Sequence, residues 1–164
     1  MSLVVDVNVE DDGWTALADL EALTQRAADA SLRGAGATLA KDCEVCVSFV
    51  DDATIRGLNA QWRGQDKPTN VLSFPTPGDL SKKPMLGDII IACETTAREA
   101  REQDKTLADH TTHLVVHGFL HLLGHDHETP QEAEAMEALE REIAAALGLA
   151  DPYADTVPVE GAGS

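Results

Sequence analysis

Aromatic residues make up only 4% of this 164-residue chain, so a core has to be assembled from Leu, Val, Ile and Ala. Basic residues are scarce as well. Twelve Lys and Arg against 29 Asp and Glu leave a formal charge of −17, and a field of that sign over the whole surface disfavours polyanions. No run reaches the roughly 18 apolar residues of a membrane span. No basic residue precedes Arg26, and the first residues alternate rather than forming an apolar block, which argues against a secretory signal. Three cysteines, an odd number, cannot make a disulfide framework, and a chain of this size does not need one. They read as reduced thiols in a soluble, cytoplasmic protein. Cys43-Glu-Val-Cys46 is a C-x-x-C, but it falls in an expected strand, where positions three apart face opposite sides.

What remains is ordinary for one globular domain: 43% hydrophobic residues and a length that fits a single core. The charge, however, is uneven. Residues 1–52 carry 11 acids and 3 bases, and residues 111–164 carry 10 acids and 1 base, whereas residues 53–110 carry 8 of each. A middle segment forming one wall of a cleft would make that wall locally positive on an acidic body. Scattered surface charge gives the same count.

Alternation from Leu3 to Val9 predicts a strand. Asp11 and Asp12 offer caps for a helix from about Trp14 to Arg33, ended by Gly34 and Gly36. Cys43–Val50 reads as a second strand, followed by a short helix capped by Asp51 or Asp52 and running to about Trp62. Val71–Phe74 is a third strand, 75–84 a Pro-rich loop, and Asp88–Ala92 a buried strand. Helices are expected over about Glu94–Gln103 and Leu107–Leu123. Thr129-Pro130-Gln131-Glu132 is a capping box opening a last helix that stops at Gly148. Mixed strands and helices without repeats or long linkers indicate an α+β (mixed α/β) fold. The expectation is a single domain, residues 1–153, with a mixed sheet of about four strands and about five helices. Residues 154–164 are expected to form a flexible tail.

All six histidines lie between His110 and His127. His117 and His121, four apart on a helix, share a face and can hold one metal ion. His127 reaches them only if the chain doubles back, and Gly124 stands where a helix can end in a left-handed residue. Three imidazoles with an open fourth position form the pattern of catalytic zinc, where a bound water acidifies to a pKa of about 7. The spacing matches the metzincin pattern His-Glu-x-x-His-x-x-Gly-x-x-His, except that Gly118 replaces the Glu that serves as base in peptide hydrolysis. His110, His113 and His125 are expected to stand around the ligands or at the surface. Asp126 is expected either to orient a ligand imidazole or to help form the turn.

Two long motifs, His117-Gly-x-Leu-His121-Leu-x-Gly124-His125-Asp126-His127 and Arg63-Gly-Gln-Asp66-Lys67-Pro68-Thr69-Asn70-Val71-Leu72-Ser73-Phe74-Pro75, resemble the YbeY family of bacterial endoribonucleases, or rRNA maturation factors. Leu86-Gly87-Asp88-Ile89 also matches. The resemblance covers roughly residues 3–153. It implies one zinc ion on His117, His121 and His127, and Arg63 as a basic residue of the active-site cleft. It also implies single-stranded RNA as substrate, with work on the 3′ end of small-subunit (16S) ribosomal RNA and in ribosome quality control. The small subunit and its proteins are the implied partners, and neither membrane nor DNA is expected. A guanidinium suits bidentate contact with phosphate oxygens. Lys67, Lys82 and Lys83 either guide the strand or are solvated loop charges. Two alternatives stay open: an assembly factor whose zinc is mainly structural, and a metal-dependent hydrolase of another bond.

Overall fold

The computed structural model describes residues 3–153; the tail expected at 154–164 lies outside them. Strands β1 (Val4–Val9), β2 (Glu44–Val50), β3 (Val71–Pro75) and β4 (Met85–Ala92) form one sheet in the order β1-β2-β4-β3. β1, β2 and β4 run parallel, and β3 is antiparallel to β4 at the edge. The helices are α1 (Leu20–Ala35), α2 (Asp52–Arg63), α3 (Cys93–Glu102), α4 (Leu107–Leu122) and α5 (Pro130–Ala146). This is the expected single-domain α+β fold with a four-stranded mixed sheet and five helices.

One face of the sheet makes the main core. Val45, Val47 and Phe49 of β2 and Ile89 and Ile91 of β4 are fully buried there with Val115, Phe119 and Leu120 of α4 and with Ala27 and Ala28 of α1. Period-2 alternation in the strands explains which residues point inward. α2 covers part of the opposite face, where Val50, Ile55, Leu72 and Ala92 make a smaller cluster. Cys43 is buried and Cys46 is half-buried, with its thiol beside the Asn8 amide. The two are unbonded.

Two boundaries differ from expectation. The first helix does not run unbroken from Trp14: a 3-10 turn over Asp12–Ala16 comes first, and α1 starts at Leu20. Trp14 is the reason. It is fully buried, packs edge-on against Phe49, and donates its indole N–H to the Val50 carbonyl at 3.0 Å. Holding the chain there forces a restart, which Asp19 caps by accepting the Ala22 N–H. β4 also begins at Met85 rather than Asp88. Gly87 does not break it but permits close approach: a Cβ there would lie 2.4 Å from the Phe74 carbonyl, and φ is +148°.

The N-cap half of the expected capping box forms: Thr129 Oγ1 accepts the Glu132 N–H, with Pro130 at the first helical position.

Candidate metal centre and cleft

α4 is buried on nearly every side, and its C-terminal end carries two of the candidate ligands, His117 and His121. Leu114, Val115, Val116, Phe119 and Leu120 hold it against the sheet and α1. His117 and His121 therefore stay on the one flank that opens outward. Gly118 lies on the sheet side, where a Cβ would meet Ile89 Cγ2 at 2.8 Å and Ser73 Oγ at 3.2 Å. No side chain fits, so the carboxylate that metzincins place here is excluded by packing. Gly118→Ala is expected to destabilise the protein. Overpacking against the β-branched Ile89 costs about 1–3 kcal/mol, against a gain of about 1 kcal/mol in helix propensity. Urea unfolding of the two proteins measures the difference, and a more stable variant would contradict the packing argument.

The chain leaves α4 by a Schellman turn. Gly124 has φ +102°, its N–H donates to the His121 carbonyl, and the His125 N–H donates to the Leu120 carbonyl at 2.9 Å. The turn reverses the chain and returns His127 to the first two histidines. Asp126 serves this turn: its Oδ1 accepts the His127 backbone N–H at 2.8 Å. The structure thus decides between the two roles expected for Asp126 in favour of the turn.

The three side chains converge, with one nitrogen from each of His117, His121 and His127 within 4.8 Å of the others. Nε2 of His117 and Nε2 of His121 are 3.2 Å apart. Two ligands of a tetrahedral zinc with Zn–N bonds of about 2.0–2.1 Å stand about 3.3 Å apart, so the pair already has the spacing a shared cation needs. Burial, with the neighbouring His117 and His127, pushes the His121 imidazole down to about 4. It is thus neutral at ordinary pH, the form that binds a metal. The donor set of three imidazoles suits zinc and its first-row neighbours.

One residue of this site was absent from the sequence reading. Glu140 of α5 is 1% exposed and accepts three hydrogen bonds: from His117 Nδ1 at 2.9 Å, His113 Nε2 at 2.6 Å and the Tyr153 hydroxyl at 2.6 Å. Burial alone would raise its pKa, but the hydrogen bonds from His113 and His117 outweigh it and hold the carboxyl well below its ordinary value. An ionised Glu140 keeps the His117 proton on Nδ1, leaving the Nε2 lone pair free to face the other two histidines. A signal existed in the sequence. Met136, Glu140 and Ile143 share the buried face of α5, and a glutamate inside an apolar stripe requires partners.

The other histidines differ in their surroundings: His113 stands beside His117, as expected of a residue around the candidate ligands, whereas His110 is buried away from the three. His110 is buried on α4 and pairs with Glu99 at 2.9 Å, His113 belongs to the Glu140 cluster, and His125 lines the cleft.

That cleft has a volume of about 810 Å³. Its lining joins His117, His121 and 124–128 with Asn59, Arg63, 67–73, Thr95, Arg98 and Glu99. This second group lies entirely within the charge-balanced middle of the chain, and it brings Arg63, Lys67 and Arg98 into the cleft alongside Glu99, while Asp126 and Glu128 lie with the histidines. Arg63, at the C-terminal end of α2, is anchored by Nη2 on the Ser73 carbonyl at 3.0 Å and lies over the Phe74 ring. Lys67 shares the cleft, whereas Lys82 and Lys83 do not line it. Lys83 is buried, with its ammonium on the Thr76 carbonyl at 2.7 Å. No helix among the described residues is long and apolar enough to cross a membrane.

Comparison with known proteins agrees with this geometry. The family model described as endoribonuclease YbeY matches residues 7–148. Proteins named endoribonuclease YbeY are similar over most of the chain. One from Methylocella silvestris is 50% identical, covering 93% of this chain and 87% of its own. Another, from Allorhizobium ampelinum, is 53% identical, covering 96% and 98%. A solution structure from Thermotoga maritima superposes with a TM-score of 0.56 at 28% identity, over 94% of this chain and 98% of that one.

Proposed function

The chain belongs to the endoribonuclease YbeY family, and we propose that it cuts single-stranded RNA at the cleft between Arg63 and a zinc ion held by His117, His121 and His127. The observation that carries this reading is the sharing of one cleft by three converged imidazoles and an anchored arginine. A phosphodiester entering it meets both a metal site and a guanidinium.

The division of labour follows from the residues. When bound, zinc supplies Lewis-acid stabilisation of charge growing on the phosphate oxygens. Arg63 contributes N–H donors in a planar fork that matches two of those oxygens. Its bond to Ser73 and its packing on Phe74 fix the guanidinium before substrate arrives, so little reorganisation is needed as charge develops. Lys67 and Arg98 add positive charge in the same cleft. Glu140 sets the His117 tautomer, and the Gly124 turn delivers His127.

The substrate we assign is the 3′ end of small-subunit ribosomal RNA, in late maturation and ribosome quality control, with the small subunit and its proteins as partners and the cytoplasm as location. The strong negative charge away from the cleft supports basic ribosomal proteins as partners. It also disfavours long duplex contacts, leaving a short strand held at Arg63, Lys67 and Arg98.

Arg63→Ala tests the nuclease reading directly. The variant is expected to keep its full complement of metal and its fold. Its cleavage of a small-subunit rRNA fragment is expected to fall about 10²–10³-fold, the effect of removing one preorganised charge-stabilising group. Equal cleavage by wild type and variant would mean that Arg63 takes no part or that a contaminant does the cutting.

A further inference from the structure

Trp62 is the most exposed large hydrophobic side chain among the described residues, at 63%. We infer that it is a stacking platform for an unpaired base of the RNA strand held at the cleft, forming a nucleotide subsite beside Arg63. This inference rests on the nuclease reading above.

Three observations support it. First, Trp62 and Arg63 are consecutive and share one anchor. The Trp62 ring packs edge-on against Phe74 at 6.4 Å, and the Arg63 guanidinium lies over the same ring at 5.8 Å. Second, alternation along β3 turns Phe74 to the α2 face beside Leu58, while Arg63, Ser73 and Pro75 line the cleft, so the indole stands outside the lining, one residue along the chain from it. Third, beyond its contact with Phe74 the indole has no polar partner among the described residues. Its N–H makes no hydrogen bond among the described residues, unlike that of Trp14, which is buried and bonded to Val50. Aromatic surface left in water forgoes the stabilisation that burial gives, and that burial stays available to a bound partner. A ring fixed edge-on leaves area free for a flat partner, and every base has a face to offer. Adjacent cation and ring match adjacent phosphate and base, the combination by which single strands are gripped without sequence readout.

The two tryptophans make the test clean, because Trp14 is shielded and Trp62 is not. The metal-loaded protein is mixed with a short oligoadenylate, and tryptophan emission is read before turnover, with inorganic polyphosphate as the probe lacking bases. Oligoadenylate is expected to quench the emission and polyphosphate is not. Trp62→Ala is expected to abolish the quench and raise KM for RNA cleavage roughly ten- to a hundredfold, with kcat little changed. Trp62→Phe is expected to recover most of the KM, since a ring and not the indole N–H is required.

Cleavage and KM unchanged in Trp62→Ala would overturn the subsite while leaving the nuclease reading intact. So would equal quenching by polyphosphate, or equal losses in the Ala and Phe variants. A wild-type protein that neither binds nor cuts the RNA would overturn both.

Discussion

Replacing His121 by alanine is expected to strip the metal from the protein and, with it, RNA cleavage. His121 is the best ligand to remove. Its side chain makes no hydrogen bond among the described residues beyond the contact with His117, so its loss leaves no buried carboxylate stranded, as removing His117 would. A Lewis acid contributes several kcal/mol to a charged transition state, which is roughly a thousandfold in rate or more. Metal analysis and cleavage of an rRNA fragment, run on the same preparation, read the two effects together. Cleavage surviving without metal would refute the metal-dependent mechanism. The same variant has a second signature in metal-free protein. His121 is held down to about 4 in the folded state against 6.5 unfolded. As pH falls from 6.5 towards 4 the unfolded chain takes up a proton here that the folded chain refuses, so acidification favours unfolding. Metal-free wild type is therefore expected to lose stability across that window, and His121→Ala to lose less.

Glu140→Gln is expected to weaken metal binding ten- to a hundredfold although Glu140 does not itself line the cleft and acts through His117. The physical reason is a count of donors. His113, His117 and Tyr153 all donate to an ionised carboxylate. An amide has one oxygen to accept and two hydrogens to donate, so at least one of the three partners must reverse. If His117 reverses, its proton moves to Nε2, where the metal would bind. Burial makes the mismatch costly: an unpaired buried polar group costs about 1–3 kcal/mol, so the variant is also expected to unfold more readily. Metal titration with a competing chelator measures the first effect and urea unfolding the second. Metal affinity equal to wild type would mean that Glu140 does not set the tautomer. The pH dependence separates the two proteins as well. Because Glu140 is held below its ordinary pKa, its contribution to wild-type stability is present above about pH 4.5 and is lost as pH falls further. The Gln variant has no such loss.

The sequence alone determined the candidate ligands. His117, His121, Gly124 and His127 obey a local rule: helical spacing followed by a glycine turn depends only on backbone geometry within 11 residues. The element order was readable for the same reason, since alternation and helical periodicity are local. The boundaries that failed were set from a distance. Trp14 breaks the first helix because Val50 and Phe49 hold it, and Gly87 continues a strand because Phe74 passes close by. Glu140 lies 23 residues from His117, and only the packing of α5 against α4 brings them together. The emptiness of position 118 was visible in the sequence, but its cause, the closeness of Ile89 and Ser73, was not. Likewise, only the tertiary structure decided that the charge-balanced middle of the chain shares a cleft with the histidines. Contacts between elements depend on how whole faces pack, and no short window of residues contains that information.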